Sequence, residues 1–401
     1  MSKNAFIYDG GRTAFGRHSG ALSAVRPDNL LAHVIATLVN RNGFASSDYE
    51  DVIAGSTNQA GEDSRNVARF AGLLAGLPQQ TGGITVNRLC GSGLAAALDA
   101  SRCVKVNEGE LFVAGGVESM SRAPLVISKA TSAFDRNQEI ADTTMGARFT
   151  NPLIVEQFGG HTMPQTADNI AADLNIDRDS CDLFALASQQ KYQAAKDKGF
   201  FVDEIIPIEV KQGRKQPPLV VDSDEHPRAQ TELSSLTKLR PLFEGGVVTA
   251  GNASGINDGA SAVLIGSEAA GKSAGIQPRA RIVSGAIAGV EPRVMGLGPV
   301  PATRKALARA GLTLDDLDVM EFNEAFAVQA LGCMKELGIA FDDPRVNPNG
   351  GAIAIGHPLG ASGARILYTA LRQLELSGGR YALATMCIGI GQGIAVIIER
   401  V

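Results

Sequence analysis

Apolar runs of strand length alternate along the chain with longer helix-like stretches. In the first third, the strand-like runs are AFIYDG, DVIAGST, GITVNRL and LFVAGG, and the stretches between them are NLLAHVIATLVNRNG, NVARFAGLLAGL and GSGLAAALDASRCVKVNEG. The final third repeats this rhythm from ARIVSGAIAG through PATRKALARAG to YALATMCIGIGQGIAVIIERV. Strands that are separated by helices usually pair in parallel, so the pattern predicts an α/β architecture.

The two ends of the chain also match each other. Strand and turn landmarks recur at a nearly constant separation of 267 to 274 residues: Asp51 with Asp318, Gly93 with Gly363, and Gly115 with Gly389. This separation is much longer than the period of a solenoid. We therefore expect two similar halves from one duplicated unit, with residues 1–120 and 247–272 in the first half and residues 273–401 in the second.

Residues 121–246 differ in character and are expected to form an inserted loop domain. They contain two helix-like pieces, ADNIAADLNI and CDLFALASQQKYQAAKDKG, and the polar run KQGRKQPPLVVDSDEHPRAQ. Long excursions within compact domains are often lids or binding loops. For the charged run 211–230 itself, a solvated hairpin or an assembly contact is favoured over a direct catalytic role.

The composition suits a globular enzyme and argues against several kinds of partner. Hydrophobic residues make up 44% of the 401 residues, aromatic residues make up 5% and there is no Trp, so base stacking on nucleic acid has little support. A formal net charge of -5 gives no reason to expect a polyanion. No run has membrane-spanning length and no targeting signal is recognisable, which predicts a cytoplasmic protein without a membrane partner. The five scattered cysteines are expected to be free thiols.

Cys90 is a candidate nucleophile. It lies in ITVNRLCGSGLAAALDA, where an apolar strand gives way to a Gly-rich turn and an Ala-rich helix. Because a helix N-terminus stabilises a thiolate, this position is expected to lower the pKa of the thiol from its usual value of about 8.5. The small residues after Cys90 would let a substrate carbonyl approach backbone amides that could act as an oxyanion hole. The alternative is an inert cysteine, since thiols are often buried.

His357 is the counterpart of Cys90 in the second half. It lies in GGAIAIGHPLGASGAR, and Pro358 disfavours helical geometry at His357 and is suited to open the following helix. We expect the imidazole to be presented at a strand end, facing the first half, where it can activate a thiol. A purely structural histidine is the alternative.

Two further positions could take part in the chemistry. Cys387, in YALATMCIGIGQGIAVII, stands near a tight turn between two strand-like runs. The β-like sequence that follows disfavours a dinucleotide-binding site. The two remaining interpretations of Cys387 are a reactive thiol and a buried core cysteine. Asn323, in EFNEAFA, could cap the following helix or donate its amide to an oxyanion, directly or through water.

At these residues the chain resembles the thiolase family, and the resemblance extends along its whole length. The blocks NRLCGSG, VVTAGNASGINDGASA, NEAFA, GGAIAIGHPLGASGAR and CIGIGQG follow one another in the family's order. The resemblance implies a five-layer α/β/α/β/α fold of two similar halves, with a loop domain inserted in the first half. It also implies an acyltransferase that breaks or forms a carbon–carbon bond in a 3-oxoacyl-CoA, with CoA as a substrate and with no metal and no tightly bound cofactor.

The resemblance further implies roles for individual residues. Cys90 would become acylated, His357 would activate it, and Cys387 would act as acid and base. Asn323 would hold a water that binds one oxyanion together with His357. The backbone amides of Cys90 and Gly389 would bind the other oxyanion.

Other matches indicate residues that bind the substrate. Ser235 and Ser254 correspond to family positions around the pantetheine and nucleotide portions of CoA. Met163, Met295 and Phe326 correspond to positions in or beside the acyl pocket. These five residues are therefore expected to lie close to the catalytic groups.

The chain departs from the family pattern just before Met163. Many family members carry His immediately before this methionine, whereas this chain has Thr162 there and His161 one position earlier. A role for His161 in CoA binding is therefore left open.

Within the family, three runs look closest to β-ketoadipyl-CoA thiolases, which release succinyl-CoA and acetyl-CoA in aromatic catabolism: NQAGEDSRNVARFAGLLAGLP, GGVESMSRAPLV and DTTMGARFTNPL. Residues 142–145 and Arg148 could help to receive a terminal carboxylate. A biosynthetic acetoacetyl-CoA thiolase and a general fatty-acid 3-ketoacyl-CoA thiolase share the catalytic motifs and are the alternatives. Like other family members, the chain is expected to form a homo-oligomer, either a dimer or a tetramer.

Two rival functions belong to other classes. A decarboxylating condensing enzyme of related fold would need a second catalytic His, or an Asn, where Cys387 stands. A non-catalytic acyl-CoA or lipid carrier would lack a reactive thiol. Covalent acetylation of Cys90 by acetyl-CoA would distinguish a thiolase from a carrier.

Overall fold

The computed structural model describes residues 3–213 and 215–401. In chain order, strands β1 to β14 are Ala5–Arg12, Gly16–Arg17, Tyr49–Gly55, Ile84–Val86, Leu111–Ser119, Leu125–Ile127, Ile140–Asp142, Ile208–Val210, Leu219–Val221, Asn257–Ser267, Ala280–Gly289, Val319–Phe322, Tyr381–Ile388 and Gln392–Arg400. Helices α1 to α12 are Pro27–Arg41, Val67–Leu74, Ser92–Val106, Pro152–Phe158, Met163–Leu174, Arg178–Asp197, Leu233–Leu236, Glu268–Ala274, Pro299–Ala310, Ala327–Leu337, Ala352–Ile355 and Leu359–Ser377. Within the described ranges, no helix is both long and apolar enough to cross a lipid bilayer.

The long strands form two groups, one for each expected half. The strand order is β1-β10-β5-β3-β4 in the first group and β11-β14-β13-β12 in the second. β1 and β11 join the groups through the pairs Phe6 with Arg281 and Ile7 with Ala280. The predicted α/β class is confirmed, but the expectation of parallel pairing holds only in part. β3 pairs in parallel with β4 and β5, whereas β14 runs antiparallel to β13 because a tight turn joins them instead of a helix.

Helices separate the two groups of strands and cover their outer faces. α3 packs against β3, β5 and β10, α12 packs against β5, β12 and β13, and α3 and α12 contact each other. α1 and α2 cover the outer face of the first group, while α9 and α10 cover that of the second. The predicted five-layer α/β/α/β/α arrangement of two similar halves is therefore confirmed.

The two central helices approach closely at their N-terminal ends because glycines stand at the contact. A Cβ atom on Gly93 would lie 2.6 Å from the carbonyl oxygen of Gly360, and one on Gly363 would lie 2.2 Å from the amide nitrogen of Leu94. Any side chain at either position would push the helices apart. Gly93 and Gly363 are one of the landmark pairs of the duplication, so corresponding points of the two halves meet in the middle of the molecule.

Residues 121–246 contribute two short hairpins, β6–β7 and β8–β9, and helices α4 to α7. α5 and α6 pack against α10, and α6 also packs against α11. These two helices, although they follow the first half in sequence, therefore lie against the second half, whereas residues 200–210 and Val221 pack against the core of the first half. Of the charged run 211–230, β9 pairs with β8, which ends at Val210 just before the run, and Arg214 lies outside the described residues. The choice between a solvated hairpin and an assembly contact stays a prediction. The domain boundaries at residues 120, 246 and 272 stay predictions.

Part of the charged run points inwards. The Asp224 carboxylate accepts hydrogen bonds from Arg12 Nη1 at 2.6 Å and from the amide of Phe15 at 2.7 Å, and Arg12 Nε also donates to Glu204 at 2.6 Å. The side chain of Arg12 is 1% exposed. This buried ion-pair network attaches the inserted segment to β1, which the polar character of the run did not predict.

Candidate active site

Cys90 lies between β4 and α3, as the sequence predicts. The hydroxyl of Ser92, the first residue of α3, donates to the carbonyl of Leu89 at 2.6 Å and accepts from the amide of Arg88 at 2.8 Å. These bonds close a tight turn in which Leu89 has a φ of 45°. The turn places the Cys90 sulfur beside its own backbone N–H and beside that of Gly389.

The expectation of a low pKa for the Cys90 thiol is wrong. Burial raises the pKa of Cys90 to about 11, the N–H groups of Gly389 and Cys90 lower it less, and the nearby Glu118 raises it. Loss of solvation therefore outweighs the effect of the helix N-terminus. A thiol in this position needs a base to accept its proton when it reacts.

His357 lies between α11 and α12, at the place that matches Cys90 in the first half. The predicted strand end before it is wrong, because residues 352–355 form a helical turn whose Ile353 amide donates to the buried Glu324 carboxylate. Pro358 is the N-cap of α12, with a φ of -67°, so it precedes the new helix as expected. The backbone N–H of His357 donates to Asn257 Oδ1 at 2.9 Å, which fixes the start of the helix.

Both ring nitrogens of His357 have partners. Nδ1 lies 2.6 Å from the hydroxyl oxygen of Ser362, and that hydroxyl donates to the carbonyl of Pro358 at 2.9 Å. Since a hydroxyl has one proton, the ring must donate from Nδ1 when Ser362 donates to Pro358. Nε2 then carries the lone pair and lies 3.3 Å from the amide nitrogen of Asn323. Burial and the positive charge of Arg365 lower the pKa of His357 to about 3, so the ring is neutral.

Asn323 is buried in the turn that follows β12. Its backbone N–H donates to the carbonyl of Thr385 at 3.0 Å, and its side-chain oxygen has no partner among the described residues. The next helix, α10, begins at Ala327 with Phe326 as its N-cap. The capping alternative for Asn323 is therefore wrong, because its amide points towards His357 instead.

Cys387 is buried near the end of β13, opposite Gly393 on β14. Burial raises the pKa of the Cys387 thiol well above its ordinary value, and charge on Cys90 raises it further. Ile388, the next residue, packs against the turn that carries Cys90, since a Cβ atom on Gly91 would lie 2.6 Å from the Ile388 side chain. Cys387 itself stands in the strand just before the β13–β14 turn, rather than on that turn.

The three residues expected in the acyl pocket are brought to the same place. Met163 begins α5, and its sulfur lies 3.9 Å from where a Cβ atom on Gly389 would be. Met295 and Phe326 are buried in one hydrophobic cluster with Cys387. Apolar side chains from the inserted segment and from the second half therefore pack around Cys387.

A neighbouring pocket of about 190 Å³ contains one of the two predicted CoA-binding serines. Ser235 lines it together with His226, Arg228 and other residues of the inserted segment, and Ala253 and Ile353 line it from outside that segment. Ser254 adjoins it, since it follows Ala253 and its amide donates to the carbonyl of Ala325 at 3.0 Å. His226 and Arg228, which belong to the charged run, were missed because the run was assigned to solvent.

Comparison with known proteins agrees with this geometry. The family description "Thiolase, N-terminal domain" matches residues 5–269, and "Thiolase, C-terminal domain" matches residues 276–400. The chain belongs to the thiolase family. It is therefore an acyltransferase, and the predicted family is confirmed.

This thiolase has similar relatives over its full length. It is 57% identical to a "Beta-ketoadipyl-CoA thiolase" of Acinetobacter baylyi, with 100% of both chains covered. It is 56% identical, with the same coverage, to the "3-oxoadipyl-CoA/3-oxo-5,6-dehydrosuberyl-CoA thiolase" of Escherichia coli K12. Among solved structures, it matches the human mitochondrial 3-ketoacyl-CoA thiolase with a TM-score of 0.92 and 41% identity, covering 100% of this chain and 99% of that one. The Bacillus anthracis acetyl-CoA acetyltransferase gives the same TM-score and coverage at 38% identity.

Some sequence candidates lie at the edge of the thiolase site. His161 is exposed before α5, and its ring lies against Gly159. In the run 142–145, Asp142 and Met145 are exposed, and the Asp142 carboxylate accepts the amide of Thr144 at 2.8 Å. These contacts give His161, Asp142 and Met145 no link to the two thiols.

Glu118 is a buried residue of the thiolase that sequence reasoning missed. It stands near the end of β5 and accepts backbone N–H bonds from Thr57 and Asn58 at 3.1 Å and from Gly360 at 2.9 Å. Burial raises the pKa of Glu118 to about 7. Its carboxylate ties the loop after β3 to the first residues of α12. Glu118 lies three residues after Gly115, one of the landmarks of the duplication, and this position is the feature of the sequence that could have identified it.

Proposed function

We propose that this thiolase cleaves 3-oxoadipyl-CoA with CoA into succinyl-CoA and acetyl-CoA, and catalyses the reverse condensation. The proposal is supported by the contact between the N-terminal ends of α3 and α12, which follow Cys90 and the neutral imidazole of His357, with Cys387 near the end of β13. The names of the relatives at 56–57% identity support the choice of acyl group.

In the first stage, Cys90 attacks the 3-oxo carbonyl of the substrate. Because the pKa of Cys90 is raised to about 11, its thiol gives its proton to Nε2 of His357 as the sulfur–carbon bond forms. The bond between C2 and C3 then breaks, and its electron pair stays on C2 of the departing acetyl-CoA. Cys387 gives its proton to that carbon, which leaves succinyl-Cys90 and a Cys387 thiolate.

In the second stage, CoA removes the acyl group from Cys90. The CoA thiol gives its proton to the Cys387 thiolate, and the CoA sulfur attacks the thioester carbonyl. The Cys90 sulfur leaves and recovers its proton from His357. The raised pKa of Cys387 suits both steps, since a strongly basic thiolate readily takes a proton from CoA. Two easier steps thus replace one difficult carbon–carbon cleavage.

In this proposal, backbone and side-chain donors stabilise the oxyanions. The N–H groups of Cys90 and Gly389 flank the Cys90 sulfur, so the oxygen of an acyl group on that sulfur lies within their reach. Asn323 and His357 would bind the thioester oxygen of the second substrate, with a water held by the Asn323 amide. Each stage therefore has a donor pair for the charge that develops in it.

The pocket beside the site suits the CoA chain. Ser235 and Ser254 offer hydroxyl groups to pantetheine, and Arg228 offers a cation to a phosphate of the nucleotide. CoA acts here as a substrate that is exchanged in each turnover, and no step calls for a resident cofactor. The expected homo-oligomer, a dimer or a tetramer, stays a prediction.

Acylation of Cys90 tests the reaction class. On mixing with succinyl-CoA, the acyl donor of the reverse condensation, we expect peptide mass spectrometry to find a stoichiometric succinyl group on Cys90, and none in Cys90→Ala. Added CoA should remove it. An unmodified Cys90 in the native protein would favour the acyl-CoA carrier.

A thiolysis panel tests the substrate. We expect a higher kcat/KM for 3-oxoadipyl-CoA than for acetoacetyl-CoA or a longer 3-oxoacyl-CoA. A preference for acetoacetyl-CoA would favour a biosynthetic thiolase, and a preference for the longer chain would favour a fatty-acid thiolase.

A further inference from the structure

We propose that Arg148 binds the terminal carboxylate of the acyl group and so determines specificity for a dicarboxylic substrate. This inference rests on the proposed function and names the residue that selects the acyl chain. Arg148 lies in the inserted segment, between β7 and α4.

Arg148 is a half-buried cation whose described hydrogen bonds go to neutral oxygens. Its Nη2 donates to the carbonyl of Asn58 at 3.0 Å and lies 3.5 Å from the side-chain oxygen of the same residue, and its Nη1 donates to the carbonyl of Thr143 at 3.4 Å. Within the described ranges, no carboxylate lies within 4.0 Å of its guanidinium. A guanidinium has five N–H donors, so some of the donors of Arg148 are free to bind an anion from outside the chain, such as a substrate carboxylate.

The groups that hold Arg148 are themselves fixed. Asn58 is buried, its amide N–H donates to Glu118, and its side-chain nitrogen donates to the hydroxyl of Thr143 at 3.2 Å. That hydroxyl donates in turn to the carbonyl of Pro124 at 2.6 Å. The cation is therefore held in place before the substrate arrives, which reduces the entropy lost on binding.

The loop that holds Arg148 lies next to the loop that carries Cys90. β3 and β4 are parallel neighbours with Gly55 opposite Val86, and both chains leave the sheet at the same edge. Beyond that edge the side chain of Asn87 donates to the carbonyl of Thr57 at 3.1 Å. Adjacent strands are about 4.8 Å apart. In succinyl-Cys90 the carboxylate is separated from the thioester carbonyl by two methylene groups. This length suits a carboxylate that starts from the Cys90 loop and binds at the neighbouring loop that holds Arg148.

Arg88 is another cation near Cys90 with a neutral partner. It stands two residues before Cys90, its Nη1 donates to Gln392 at 3.2 Å, and its Nε is buried without a described partner. Gln392 begins β14, so Arg88 is held towards the second half, away from the Asn58 loop. Because its Nε is buried, Arg88 also has fewer N–H donors that a ligand could contact.

The test compares two substrates of equal chain length, 3-oxoadipyl-CoA and 3-oxohexanoyl-CoA, which lacks the terminal carboxylate. We expect Arg148→Gln to lower kcat/KM for 3-oxoadipyl-CoA by about tenfold to a hundredfold, the effect typical of a charge-assisted hydrogen bond. The value for 3-oxohexanoyl-CoA should stay near that of the wild type. Arg148→Lys should lose part of the preference, because an ammonium group cannot bind a carboxylate in the bidentate way. Arg136→Gln, on the exposed loop between β6 and β7, is the matched control and should keep the wild-type ratio.

The outcomes separate the two proposals. A wild-type enzyme with no preference for 3-oxoadipyl-CoA over 3-oxohexanoyl-CoA would remove the proposed substrate, whatever Arg148 does. A wild-type preference that persists in Arg148→Gln would overturn the role of Arg148 while leaving the proposed function intact. The same conclusion follows if Arg148→Gln slows both substrates equally, or if Arg88→Gln abolishes the preference instead.

Discussion

Nδ1 of His357 lies 2.6 Å from the hydroxyl oxygen of Ser362, which is fully buried five residues further along the chain. Ser362 is held in turn by the carbonyl of Pro358. This pair of hydrogen bonds keeps the proton on Nδ1 and the lone pair on Nε2, the atom that faces Asn323. Ser362 is thus a positioning residue, because it acts on the reaction through the imidazole alone.

Replacement of Ser362 should affect turnover more than binding. In Ser362→Ala the imidazole can adopt either tautomer, so we expect kcat to fall by about tenfold to a hundredfold, the equivalent of a buried hydrogen bond of about 1–3 kcal/mol. KM for CoA should change little, and Ser362→Thr should recover most of kcat since it keeps the hydroxyl. NMR of ¹⁵N-labelled imidazole should show one tautomer in the wild type and a mixture in Ser362→Ala. Ser377→Ala, near the exposed end of the same helix, is the control, and a wild-type kcat in Ser362→Ala would remove the positioning role.

His357 should make the stability of the protein depend on pH. Its pKa is about 3 in the folded state, against an ordinary value of about 6.5, so between these values the unfolded chain binds a proton that the folded protein does not. The free energy of unfolding contributed by this group therefore falls as the pH drops through that window. Urea unfolding at several pH values should show a shallower acid decline for His357→Gln than for the wild type. A His357→Gln curve parallel to that of the wild type would contradict the prediction.

The glycine contact between the central helices should be sensitive to a single methyl group. In Gly363→Ala the added Cβ would lie 2.2 Å from the amide nitrogen of Leu94, so we expect a loss of about 1–3 kcal/mol in the free energy of unfolding. The rate at which succinyl-CoA acylates Cys90 should also fall in the folded fraction, because the two helix starts would move apart. Gly43→Ala is the control, since the added Cβ would lie 3.8 Å from its nearest neighbour, a side-chain carbon of Ile276. Equal behaviour of the two variants would show that the contact tolerates a side chain.

The buried ion pairs of Arg12 should contribute strongly to stability. Arg12→Met would leave Asp224 and Glu204 buried without their partner, and we expect a loss of about 3–5 kcal/mol in the free energy of unfolding. Arg102→Met removes an exposed pair with Asp99 and should cost less than about 1 kcal/mol. Urea unfolding measures both variants. Similar losses would mean that the buried network is not the main attachment of the inserted segment.

Local patterns in the sequence were sufficient for much of the fold and for the central residues of the site. The alternation of strand-like and helix-like runs located most of the long elements, and the recurring landmarks predicted the two halves. Cys90 and His357 could be paired because each stands where its half begins a central helix. Each of these features can be recognised within a short stretch of sequence, or by comparing one stretch of the sequence with another.

The features that the sequence did not predict depend on contacts between distant residues. The raised pKa of Cys90 results from the packing around it, and the helical turn before His357 is stabilised by Glu324 from another segment. Asp224 looked solvent-exposed in a polar run, yet Arg12 from the first strand draws it into the interior. Such partners can be identified only once the chain is folded.

The meeting of Gly93 with Gly363 also bears on how such an enzyme could arise. Two separate copies of one half, joined around the same helix contact, would carry the same amino acid at both helix starts. They could offer two sulfurs or two imidazoles, but not one of each. Covalent fusion of the copies is what allows a sulfur nucleophile and its base to occupy symmetry-related places.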